Sequence, residues 1–120
     1  MHPFLRSFTY AIKGIQLSLK ERNMKVHFIC AFIAILLGFV FKITITEWSI
    51  ILICIGIVLS LEMINTAIER LVDLVEPDHN PKAGSIKDLS AGAVLVFSFV
   101  SAIIGIMIFG KYILDLLFTY

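Results

Sequence analysis

Glu62, Asn65, Glu69, Asp73 and Glu76 recur at intervals of three and four, with the apolar Met63, Ile64, Ala67, Ile68, Leu71 and Val72 among the residues between them. On a helical wheel of about 100° per residue, with Glu62 at zero, Asn65 falls near −60°, Glu69 near −20°, Asp73 near +20° and Glu76 near −40°. One stripe about 80° wide therefore carries four carboxylates and an amide. Such carboxylates repel one another, so the stripe needs a positive partner: a metal ion, basic side chains or protons. Oxygen donors without a Cys/His set suit a hard divalent ion. Mg²⁺ in particular takes one or two carboxylates and shares substrate phosphates. A carboxylate held away from water also suits general-base chemistry. A polar seam satisfied between packed helices is the structural alternative.

The elements that carry the stripe follow from composition. The chain has 120 residues, 59% hydrophobic and 16% charged, and a mean hydropathy of +0.98. A soluble domain averages roughly 45–50% apolar and 25% charged residues. A chain this short cannot enclose so much apolar surface, which excludes a soluble monomer and also a disordered chain. A net charge of +1 offers no basic face for nucleic acid. The expectation is an all-α membrane protein forming one domain over 1–120, with spans at about 26–46, 48–70 and 88–110. The first span must run past Lys42, which would snorkel outward, and the second past Glu62. Residues 4–20 read as an amphipathic surface helix: Phe4, Phe8, Ala11, Ile12, Ile15 and Leu19 share one face, and Arg6, Lys13 and Lys20 the other.

Lys and Arg cluster before the first span (Arg6, Lys13, Lys20, Arg22, Lys25) and between the second and third (Arg70, Lys82, Lys87). The positive-inside rule puts both regions in the cytoplasm, with a short outer turn at Lys42–Glu47 and Trp48 as its interfacial anchor. The cytoplasmic connection, Glu76–Lys87, holds the helix breakers Pro77, Pro81 and Gly84. Glu62 lies about 21 Å from Trp48 along a helix, against a hydrocarbon core of about 30 Å, so it sits within the inner leaflet. Glu69 falls near the surface and Asp73 beyond it. An ionised group at mid-membrane costs roughly 2.5–3.5 kcal/mol on insertion scales, which makes Glu62 a functional candidate.

Other residues carry weaker signals. Lys87 suits a phosphate as a point charge, and Asp88 beside it is a further oxygen donor. Ser90-Ala91-Gly92-Ala93, Ser98/Ala102 and Ser101/Gly105 permit close helix approach and self-association. Glu21 and Lys25, one turn apart, read as a surface ion pair. Cys30 and Cys54 read as small apolar residues rather than ligands or a disulfide. His27 and His79 read as local hydrogen-bonding groups, and His2 as a frayed end. Gly105 through Lys111 imitates the start of a P-loop, but Tyr112 replaces Ser or Thr, no strand precedes it, and it lies within a span. Two rivals come from other classes. A small proton-coupled transporter would use a buried Glu, but centres a lone carboxylate. A non-catalytic assembly subunit would explain the small residues but not the stripe.

Glu62-x-x-Asn65-Thr66-Ala67-Ile68-Glu69-x-x-x-Asp73, followed by Lys87-Asp88-x-x-Ala91-Gly92-Ala93-Val94, resembles the prokaryotic diacylglycerol kinase family over nearly the whole chain. Glu21-Arg22-Asn23 and His79-x-Pro81 are more similar to its undecaprenol kinase branch. The resemblance implies a lipid kinase using ATP and Mg²⁺, working as a homotrimer with active sites shared between subunits in a bacterial cell membrane. It implies Glu62 as general base for the lipid hydroxyl, with Asn65 positioning the reacting groups, and Glu21 and Glu69 as ligands of Mg²⁺ and the nucleotide. Lys87 would contact phosphate, and Asp73 and Asp88 would support the nucleotide end. Gly84, Ser85 and Ile86 depart from the family's basic residue and alanines, and Met24 replaces a common Phe. Undecaprenol is the expected lipid, with diacylglycerol the alternative.

Overall fold

A computed structural model describes residues 2–119. Four helices follow one another: α1 Pro3–Ser18, α2 Arg22–Phe41, α3 Ile45–Val75 and α4 Pro81–Phe118, with no strand among the described residues. The last three are long and apolar enough to cross a membrane. At 1.5 Å per residue, α2 is about 30 Å long, which matches a hydrocarbon core, whereas α3 and α4 exceed it by about 16 and 27 Å.

The chain turns sharply between α2 and α3. Helix α2 stops at Phe41, short of Thr46, because Lys42 adopts the left-handed conformation at φ 52° and ψ 53°. The amide of Ile43 then returns to the carbonyl of Gly38 at 3.2 Å, as in a helix-terminating Schellman turn. Thr44 opens α3 with a reciprocal cap. Its hydroxyl accepts from the Glu47 amide at 3.2 Å, and its own amide donates to the Glu47 carboxylate at 3.0 Å. Gly38 faces this turn, where the Trp48 indole lies so close that a Cβ would come within 2.6 Å of it.

The second connection is shorter than the 76–87 stretch suggests. Pro81 begins α4 instead of breaking a helix, because the first turn of a helix needs no amide from it. The Asn80 side chain caps that turn by accepting from the Lys82 amide at 2.9 Å. Gly84 and Lys87 consequently sit inside α4. At the other end of the chain, α1 ends at Ser18, so Leu19 and Lys20 belong to the turn into α2.

Helices α3 and α4 form the main packed pair, and α2 lies against both. The buried face of α3 runs Glu47, Ile51, Cys54, Val58, Glu62, Asn65, which is one heptad-like seam. Ile43, Ile51, Ile108 and Phe109 form the apolar cluster near the α2–α3 turn. Two ion pairs, Asp73 with Lys87 and Glu47 with Lys111, fit one antiparallel register along α3 and α4. Glu47 also accepts from the Tyr112 hydroxyl, so the turn is fastened to α4 by two side chains.

Candidate active site

The seam of α3 changes character along its length. From Ile51 to Val58 it is apolar; from Glu62 onward it is polar, and Glu62 and Asn65 are only 3% and 4% exposed. Glu69 and Glu76 are half-buried on the same side, and Asp73 is exposed. Because α3 is unbroken through Val75, helical periodicity keeps Glu62 through Asp73 in line, and Glu76 follows at the helix end. Glu62 and Asn65 thus lie where α3 meets its neighbours, and the stripe opens outward beyond them.

Each carboxylate meets a different partner. His27, from α2, brings Nε2 to 3.5 Å from Glu62 Oε2. The Asn65 amide donates to Glu69 Oε1 at 3.2 Å. Lys87 donates to Asp73, so α4 supplies the countercharge at the end of the stripe. Glu76 accepts from Asn80 at 3.4 Å. Glu21 pairs with Arg70 at 3.0 Å instead of with Lys25, which ties the start of α2 to α3 one residue past Glu69. Basic and amide side chains therefore supply much of the compensation the stripe needs. Asp88 is exposed and makes no hydrogen bond or ion pair among the described residues, unlike its neighbour Lys87.

Two cavities adjoin this row. The larger, about 480 Å³, is almost wholly apolar and lies between α2, α3 and α4, walled by residues such as Cys30, Ala34, Cys54, Val58 and Ser101. His27 is part of its wall, so the cavity leads to the residue that touches Glu62. The smaller, about 170 Å³, is polar and lies at the α3–α4 connection, among Asp73, Glu76, His79, Gly84 and Lys87. Both cysteines are free. Met24, at 1% exposure, is the most deeply buried side chain, in keeping with a packing role.

No group of three metal-ligating side chains converges among the described residues. The donor chemistry nonetheless fits a hard cation shared with a polyanionic substrate. Glu69 is a half-buried carboxylate, and the neighbouring Asn65 Oδ1 is a buried oxygen without a partner among the described residues. Mg²⁺ typically binds through one or two carboxylates, with phosphates and water completing the octahedron.

Sequence reasoning missed two features. His27 was not paired with Glu62, because that contact depends on how α2 docks. Lys111 enters the sequence reading only as the end of a P-loop-like run, yet that run is continuous helix and Lys111 fastens Glu47.

Comparison with known proteins agrees with the geometry. Residues 9–109 match the family model for prokaryotic diacylglycerol kinase, a range that contains every candidate site residue. The chain is 44% identical over 110 residues to undecaprenol kinase of Bacillus subtilis (strain 168), covering 91% of this chain and 89% of that protein. It is also 30% identical over 103 residues to diacylglycerol kinase of Synechocystis sp., covering 84% of this chain and 59% of that one. A match of this extent, with the polar seam inside it, means that the chain belongs to the prokaryotic diacylglycerol kinase family.

Proposed function

We propose that the chain transfers the terminal phosphoryl group of ATP to the hydroxyl of undecaprenol at the inner face of a bacterial cell membrane. The family is one of lipid kinases, and the relative named undecaprenol kinase matches nearly end to end. The observation that carries the chemistry is the buried Glu62 beside His27, which walls an apolar cavity of about 480 Å³. An apolar chain lying there would bring its terminal hydroxyl to a carboxylate screened from water. Glu62 would accept the hydroxyl proton as that oxygen forms its bond to phosphorus and the bond to the ADP oxygen breaks. Asn65, one turn on, would hold the reacting groups in line. Phosphoryl transfer asks a protein mainly for positioning and charge compensation, so a short polar seam suffices.

Glu69 and Glu21 would hold Mg²⁺, which when bound neutralises charge on the phosphates. Lys87 would exchange its contact with Asp73 for a phosphate oxygen. Asp73 and Asp88 would serve the nucleotide end, near the polar cavity at the α3–α4 connection. The Lys and Arg distribution supports a cytoplasmic N-terminus and a cytoplasmic active site. The exposed Phe4, Phe8, Ile12 and Ile15 support α1 lying in the headgroup layer. Diacylglycerol is the second candidate lipid, because the Synechocystis relative carries that name.

The test is a phosphorylation assay with purified protein, labelled ATP and Mg²⁺, offering undecaprenol and diacylglycerol side by side. Undecaprenol should be the better substrate by kcat/KM. Glu62→Gln should bind nucleotide normally and lose about 10²–10⁴-fold in turnover. Near-normal turnover would remove Glu62 from the base role.

A further inference from the structure

Glu62 makes no hydrogen bond among the described residues, although its side chain is only 5% exposed. A carboxylate on a three-torsion stem is a poor base unless something fixes which oxygen faces the substrate. Asn65 does not do so through its amide, which is committed to Glu69. The side chain that approaches is His27, whose Nε2 stands 3.5 Å from Oε2. It comes from a different helix, and contacts on either side set its level: Glu21 with Arg70 toward the start of α2, and Gly38 against Trp48 toward its end. The imidazole is 20% exposed and forms part of the apolar cavity wall, so it stands between that cavity and the carboxylate.

We propose that His27 is the positioning residue for Glu62: its Nε2–H donates to Oε2, fixing the carboxylate and leaving Oε1 to take the lipid hydroxyl proton. This rests on Glu62 being the base. The separation exceeds the usual 2.7–3.2 Å of an N–H···O bond by only a few tenths of an ångström. Such catalytic contacts tighten when substrate arrives. His27 transfers no proton in this scheme; it acts through the orientation of Glu62.

The experiment compares three substitutions in purified, lipid-reconstituted protein. His27→Phe keeps a ring and removes the N–H. His27→Gln returns an amide N–H at similar reach. His27→Asn is polar but one methylene shorter. We expect His27→Phe and His27→Asn to lower kcat by about 10²-fold, the scale of a small misplacement, with KM for Mg-ATP unchanged. His27→Gln should recover most of the loss. In a Glu62→Gln background, His27→Phe should cause no further loss, because both changes act on one group. The proposal is overturned if Phe or Asn is as active as His, if Gln is as poor as Phe, or if the loss is the same in both backgrounds. Should the Phe variant fail to assemble, the Gln and Asn comparison decides alone. Full turnover by Glu62→Gln by itself would instead refute the base role.

Discussion

Seven residues, two helical turns, separate Glu62 from Glu69, and burial falls along the way from 3% exposed to half-buried. Under the proposed function that gradient would divide the labour: a carboxylate out of water suits proton transfer, and one at the rim suits a cation that arrives with a nucleotide. Replacing Glu69 with Gln removes charge but keeps the shape and an acceptor for Asn65. The expected result is a rise of about tenfold or more in KM for Mg-ATP, partly offset by added Mg²⁺, with the protein still folded. Steady-state kinetics at several Mg²⁺ concentrations check this; an unchanged KM would exclude Glu69 as a ligand. At this scale the wheel made the stripe legible, because a helix of 31 residues preserves its periodicity. The partners were not legible. Arg70 for Glu21 and His27 for Glu62 depend on the docking of α2 onto α3, which no local spacing encodes.

Among the elements, the α2–α3 hairpin decides whether His27 stands level with Glu62. Its turn was only partly readable. Thr44-x-x-Glu47 is a capping pattern in the sequence itself, but Lys42 in a left-handed conformation is not, since glycine is the usual residue there. The third span carried the opposite difficulty: Pro81 and Gly84 resemble breakers until Pro81 proves to be the first residue of α4. The packing of Gly38 against Trp48 gives the hairpin a sharp test. In Gly38→Ala the new methyl would come within 2.6 Å of the indole, and neighbouring Phe39 already packs against it at a tilt, 4.9 Å between ring centroids. The expected cost is about 1–3 kcal/mol, typical of overpacking. It would register as a lower thermal midpoint in detergent. Adding Trp48→Leu should remove most of that penalty; if the double variant is no better than the sum of the singles, the clash is not its source.

For the molecule as a whole, a single chain leaves much apolar surface uncovered by its own residues. Its radius of gyration is 18.1 Å, against about 14 Å for a compact chain of this length. Among the described residues few large side chains are fully enclosed, Met24 at 1% exposure being the clearest. Large residues of α2 and α4 such as Phe32, Phe39, Leu95 and Phe99 are 64–70% exposed, which lipid or other subunits must cover. A homotrimer with shared sites is the proposed working unit; it would cover part of that apolar surface and would accommodate Glu21 being turned to Arg70 rather than joined with Glu69. This can be tested by mixing two inactive variants. If Glu62 of one subunit works with Glu21 of the next, random equal co-assembly of Glu62→Gln and Glu21→Gln chains rebuilds intact sites with a frequency of about one in four around a closed ring. About a quarter of wild-type activity should return on co-expression and be absent when separately assembled complexes are combined, with a complex mass of three chains. If no activity returns from verified mixed complexes, Glu21 and Glu62 must act within one chain, and the cation would then be held where α2 meets α3 in each subunit alone.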